Sequence, residues 1–182
     1  MLHFLKLMLQ ILMAPSRGWE DVGADSVGAR QLFRAGLLPL IGVAALTVFF
    51  GALFQLHPSF GALIVKSIVV VARYIIAYFC GVAVLEFALP KLAIEGLVDR
   101  NRVELFCVYC TGMMVIIGIL ENLLPMELTL LQFLPIYVVV VICMGRTFLD
   151  VDERHIFRFA ACAIVGLILP VFIVDRLLAP AV

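Results

Sequence analysis

Residues 61–90 read GALIVKSIVVVARYIIAYFCGVAVLEFALP. The stretch can cross a bilayer, since a span needs about 20 mostly apolar residues at ~1.5 Å each. Yet it carries Lys66, Arg73 and Glu86 inside its apolar run. A soluble helix this apolar on every side needs a much larger domain to hide in. In lipid each such charge costs roughly 2.5–3.5 kcal/mol on insertion scales and turns toward the bundle interior. Neighbouring segments must shelter these charges, which predicts a bundle of membrane helices packed around this one.

The rest of the chain agrees. It is 65% hydrophobic and 14% charged, where soluble domains run nearer 45–50% and about 25%, and its mean hydropathy is +1.19. With 182 residues there is room for one bundle and no soluble domain. Thirteen basic and thirteen acidic residues cancel, so net charge points to no partner. Cys80, Cys107, Cys110, Cys143 and Cys162 all fall in apolar segments, which argues against an extracellular disulfide framework.

Outward from the opening stretch, the predicted spans are 37–56, 61–88, 103–124, 128–145 and 156–174, joined by two short turns and two charged loops. Pro135 is expected to kink the fourth. Residues 1–14 are apolar but short for a span; His3, Lys6 and Gln10 fall within ~60° of one another on a helix. That pattern predicts an interfacial helix, closed by Pro15. The alternative, a signal peptide, lacks a small-x-small cleavage site in Pro15-Ser16-Arg17. Residues 1–36 thus form a polar, interfacial N-terminal segment and 37–182 a five-helix transmembrane domain. Trp19, the single tryptophan, is expected as a headgroup-level anchor.

Basic residues set the expected orientation. Lys6, Arg17, Arg30, Arg34, Lys91, Arg100, Arg102, Arg146, Arg154 and Arg158 fall on one side of such a bundle; the two turns on the other side carry none, and its tail has Arg176. The positive-inside rule puts the N-terminus in the cytoplasm and, after five spans, the C-terminus outside.

Four charges are candidate functional residues: Lys66, Arg73, Glu86 and Glu121. Lys66 and Arg73, seven apart, share one helix face within ~20°, with Glu86 ~220° round from Arg73. Lys66 and Glu121 match in depth, which predicts a Lys66–Glu121 pair between the second and third spans. Glu86 and Glu104 are expected to meet Lys91, Arg102 or Arg158. Arg73 is left near mid-membrane with no acid at its depth, and an unpartnered intramembrane charge is a functional-site hypothesis by default. Ala77 with Gly81, and Cys162 with Gly166, are spaced small-xxx-small, which predicts that these faces of the second and fifth spans pack together.

Other chemistry is poorly represented. Cys107-Val-Tyr-Cys110 has no second ligand pair for zinc and no βαβ setting for redox work, so both cysteines read as small hydrophobes. No GxSxG, HExxH, P-loop or dinucleotide fingerprint occurs. Asp150, Asp152 and Glu153 read as a solvated loop. The expectation is a protein without catalytic residue, metal or cofactor, whose partners are the lipid bilayer and other membrane proteins or copies of itself, with no nucleic acid.

An apolar amphipathic start, Pro15-Ser-Arg-Gly-Trp19-Glu-Asp-Val, about twenty polar residues and five close-set spans together resemble the bacterial branch of the Yip family, the Ypt/Rab-interacting membrane proteins. The resemblance implies five spans, a cytoplasmic N-terminus, an outward C-terminus and a non-enzymatic role in a membrane. The Asp-Leu-Tyr-Gly-Pro signature and long cytosolic arm of eukaryotic members are absent, so a GTPase partner does not carry over. The leading expectation is a membrane-organising or partner-binding protein of a bacterial inner membrane. The alternative is a small transporter, channel or lipid-handling protein using the buried charges.

Overall fold

The computed structural model describes residues 2–51, 59–94, 99–124 and 134–178. They are helical, with no β-strand among the described residues. Helix α1 is Leu2–Met13 and α2 is Pro15–Ala24. Among the described residues, four helices are long and apolar enough to cross a membrane: α3 (Ala29–Phe50), α4 (Phe60–Lys91), α5 (Arg100–Leu123) and α7 (Glu153–Leu178). Between the last two lies α6, Leu134–Met144. Residues 128–133 of the predicted fourth span lie outside the described residues.

Local signals explain most helix boundaries. Ser59 caps α4 by accepting from the Ala62 N–H, and Asp99 caps α5 by accepting from the Asn101 N–H, satisfying donors that a helix start leaves free. Both α3 and α7 pass through a wider π-type turn, at Phe33–Leu37 and Ile164–Ile168. Each turn ends two residues before a proline, Pro39 or Pro170. Proline cannot donate to the carbonyl four residues back and its ring collides with it; a wide turn moves that carbonyl away. The helix therefore continues where the sequence suggested a boundary. The first span begins at Ala29 rather than 37, and the last runs to Leu178 rather than 174.

Helix directions alternate. Phe33 packs on Tyr78 and Phe49 on Phe60, so α3 and α4 are antiparallel. Gly81 meets Gly166 while Arg73 meets Asp175, so α4 and α7 are antiparallel as well. Gly145 abuts Phe106, and Val138 shares a cavity wall with Ile117, which sets α6 antiparallel to α5.

The centre of the bundle is α5, not α4. In its most apolar 18-residue stretch 83% is buried, against 39% in α4. Small side chains let neighbours close in: Phe4 and Met8 lie against Gly112, and Arg73 and Tyr74 against Gly118. Helix α4 instead exposes Phe60, Ile64, Val65, Ile68, Ile76, Phe79 and Phe87, an apolar outer side. Of the charges of residues 61–90, Arg73 and Glu86 meet partners on neighbouring helices and Lys66 meets none among the described residues, and this helix is flank rather than axis.

The N-terminal segment is part of the bundle. Helix α1 buries Phe4, Leu7, Met8 and Ile11 in the common core, so its apolar side rests on protein where an interfacial helix would turn it to lipid. His3 and Lys6 face outward as the spacing predicted. A turn at Pro15 folds α2 back on α1, held by hydrogen bonds from Gln10 to Asp21 and between His3 and Asp25.

Candidate functional site

The polar centre of the bundle begins at Arg73. On α4, Val70, Tyr74, Ala77 and Tyr78 form the buried side, and Arg73, next to Tyr74, is carried to its edge. There its Nη1 donates to both carboxylate oxygens of Asp175, at 3.0 and 2.8 Å. Its Nη2 donates to the Tyr74 hydroxyl at 2.9 Å, and that hydroxyl donates to the Met114 carbonyl at 3.1 Å. Gly118 makes this possible, because a Cβ there would lie 2.2 Å from the Tyr74 oxygen and 3.0 Å from Nη2. The chain of contacts ties α4 to both α7 and α5.

The expectation of an unpaired Arg73 is thereby overturned. Its acid, Asp175, sits on the last turns of α7, in a region the sequence reading assigned to the tail. Along α5, the Gly118 that Arg73 abuts is 18 residues, or ~27 Å, from Arg100 and five residues from Leu123.

The Lys66–Glu121 pair does not form. Among the described residues neither group has a salt-bridge partner. The cause is an overshoot of α4. Lys66 lies seven residues, ~10 Å, beyond Arg73, past the end of α5 at Leu123. Glu121 instead lines a recess of about 100 Å³ with Arg73, Tyr74, Gly118, Asp175 and apolar side chains of α5, α6 and α7.

At the opposite end, Glu86 meets Arg100 rather than Lys91, Arg102 or Arg158. Arg100 Nε lies 3.0 Å from Glu86 and 3.0 Å from Glu104, so one cation serves two acids on neighbouring helices. The acidic loop is likewise engaged: Asp150 pairs with Arg102, Glu153 with Arg146, and Asp152 accepts from the Arg154 N–H.

Trp19 is not a headgroup anchor. It is 1% exposed, stacked on Phe106 and Phe148, edge-on to Tyr109, and donates from Nε1 to the Val141 carbonyl at 3.2 Å. Its polar handle is satisfied inside the protein, which removes the reason to seek the interface. Cys107 and Cys110 are buried free thiols. Cys107 Sγ would lie 3.5 Å from a Cβ on Gly81, the part of a small hydrophobe.

The predicted contact between the Ala77–Gly81 and Cys162–Gly166 faces is present. A Cβ on Gly166 would lie 3.1 Å from the Gly81 Cα, and one on Gly81 would lie 2.3 Å from Leu167 Cδ2. Backbones therefore touch, and the α4–α7 seam is closed two to three turns from the Arg73–Asp175 pair.

Sequence reasoning missed Asp175, Tyr74 and Arg100. A tyrosine next to an intramembrane arginine was the available signal for Tyr74, since its ring lies 4.6 Å from the guanidinium carbon and its hydroxyl reaches the next helix. Comparison with known protein families, curated proteins and solved structures gave no match to this chain. The described residues are helical, and the long helices among them suit insertion into a membrane.

Proposed function

We propose that this chain is a non-enzymatic integral membrane protein that organises a membrane or holds partner proteins, in the manner its Yip-like layout implies. One observation carries the reading: Arg73 and Glu86, two of the four candidate charges, are spent on joining helices. Arg73 binds α7 and α5 to α4, and Arg100 binds Glu86 of α4 to Glu104 of α5. The closed seam at Gly81–Gly166 is consistent with a solid bundle rather than a passage. In this reading residues 128–145 complete a fifth span. The ten basic residues on one side argue for a cytoplasmic N-terminus and an outward C-terminus, in a bacterial inner membrane. Contacts would be made by the α1–α2 face and the two charged loops, with other membrane proteins or further copies of the chain.

A second reading is favoured by the recess beside Arg73, about 100 Å³, room for about three waters at ~30 Å³ each. A transporter or lipid-handling protein needs such a polar recess within its helices. A proteoliposome assay of ion, proton and fluorescent-lipid flux separates the two. The expected result is no flux above empty vesicles. Flux by wild type that Arg73→Ala and Asp175→Asn both abolish, at equal folded yield, overturns the partner-binding reading.

A further inference from the structure

Apolar stripes of three helices meet without filling the space between them. On α1, Leu5, Met8, Leu9 and Leu12 recur at the spacing of one helix face, and on α5 Met113, Ile116, Ile117 and Leu120 repeat it. Phe4 and Met8 seat α1 on α5 at Gly112. The Tyr137 hydroxyl of α6 donates to the Leu12 carbonyl and ties the far end of α1 to α6. Between these fixed points the described residues leave a slot of about 220 Å³. Its one polar side chain among them is Tyr137, already bonded. A water needs about two to four polar partners, whereas an apolar cavity of ~150 Å³ stays dry and takes benzene. Left empty, the slot forfeits dispersion contacts along its whole lining.

We infer that this slot holds one acyl chain of a bilayer phospholipid. Its shape selects the occupant. From Met113 to Leu120 the lining runs seven residues, ~10 Å, along α5. A volume of about 220 Å³ over that length makes a passage ~5 Å across, one hydrocarbon chain wide at carbon contacts of ~4 Å. A helix, ~10 Å across with its side chains, does not enter it. A stable protein interface needs about 800 Å² from each partner, so the slot is too small to seat a second copy or another protein. Leu9 and Leu120 belong to the lining and are exposed, so they mark the mouth. It opens on the flank of α5, a helix long and apolar enough to span a membrane, where lipid tails are what lies outside. A chain in the slot touches three helices, which sets it apart from a lipid lying on an outer helix face. The inference rests on the membrane setting of the proposed function and not on partner binding.

The test uses the full chain in phosphatidylglycerol nanodiscs doped with phosphatidylglycerol that carries a diazirine halfway along one chain. Illumination inserts the probe into whatever the chain touches, and mass spectrometry of the digest maps the sites. In wild type, insertion into Leu5–Leu12 and Met113–Leu120 is expected to exceed that into Ile64–Phe79 on α4 by about threefold or more. Leu5→Phe combined with Ile116→Phe fills the slot and is expected to abolish the excess while leaving the α4 signal unchanged. Ile76→Phe, on the exposed side of α4, is expected to preserve the excess. A wild-type ratio near one, or an excess that survives filling of the slot, overturns the inference. The wild-type ratio decides the matter even if the double variant fails to fold. An excess with a diazirine fatty acid and none with the phospholipid overturns the choice of occupant in favour of free fatty acid. An excess present in one-copy discs and lost in two-copy discs overturns it in favour of a second chain. Labelling of α4 without the excess overturns this inference alone; no labelling of either region overturns the membrane setting and the proposed function with it.

Discussion

Replacing Asp175 by Asn leaves the Arg73 guanidinium in place, removes its counter-charge and keeps an oxygen to accept one hydrogen bond. Magnitude follows from exposure. Fully exposed ion pairs are worth about 0.2–1 kcal/mol, and breaking a fully buried pair costs about 3–5 kcal/mol. Here the Arg73 side chain is 14% exposed and that of Asp175 40% exposed, with both carboxylate oxygens bonded to one nitrogen. The single substitution should therefore cost about 2 kcal/mol, between those limits, or roughly a thirtyfold shift in the unfolding equilibrium. Arg73→Met keeps the apolar stem and removes the charge. In a double-mutant cycle, measured by reversible unfolding in bicelles, the coupling between Arg73→Met and Asp175→Asn should be about 1–2 kcal/mol. A control pair, Arg73→Met with Glu121→Gln, should couple by less than about half as much, because no salt bridge joins them. Coupling near zero for Arg73 with Asp175 would refute both the ion pair and the continuation of α7 past residue 174.

Three further outcomes are expected. Gly81→Val brings a Cβ within 2.3 Å of Leu167 and should cost about 1–3 kcal/mol by overpacking, seen as a lowered Tm; Gly28→Val, where a Cβ meets nothing within 4 Å, should change Tm far less. Trp19 emission should be blue-shifted and resist quenching by brominated lipid or acrylamide, because the ring is 1% exposed; ready quenching by brominated lipid would restore the anchor reading. Cys107 and Cys110, both fully buried, should escape maleimide until the protein is unfolded, and labelling of either at the rate of a free thiol would show that the α5 core opens.

Much of the architecture was legible because it follows from composition and period. Long apolar runs are satisfied as helices in lipid, but the caps Ser59 and Asp99, which start α4 and α5 at Phe60 and Arg100, were not read, and the predicted spans began at 61 and 103. Less legible was anything that depends on a proline's being tolerated. Pro39 and Pro170 each follow a wide turn that lets the helix run on, so α7 carries Asp175, which the predicted end at 174 left in the tail. Trp19 was misread for a related reason. A ring with one polar atom suits a headgroup or a buried carbonyl equally, and only the return of α2 onto α5 and α6 decides between them.

The pairing of the charges was nevertheless within reach, had depth been measured from a different origin. Counting from helix ends assumes that every span starts at the same surface, and α4 violates that. Arg73 is 13 residues from Phe60, ~20 Å, while its neighbour Gly118 is only five residues, ~8 Å, from the end of α5 at Leu123. Helix ends are set by where a loop turns, and a loop can turn well outside the bundle. The height of one helix against another is set where backbones touch; the small-xxx-small spacing put the Ala77–Gly81 face on the Cys162–Gly166 face, and the structure closes it at Gly81 against Gly166. From there Arg73 is eight residues one way and Asp175 nine residues the other, ~12 and ~13.5 Å along antiparallel axes. The same origin sends Lys66 beyond the reach of Glu121. In a bundle without a hydrophobic force between its helices, glycine contacts are the fixed points, and the charges are best counted from them.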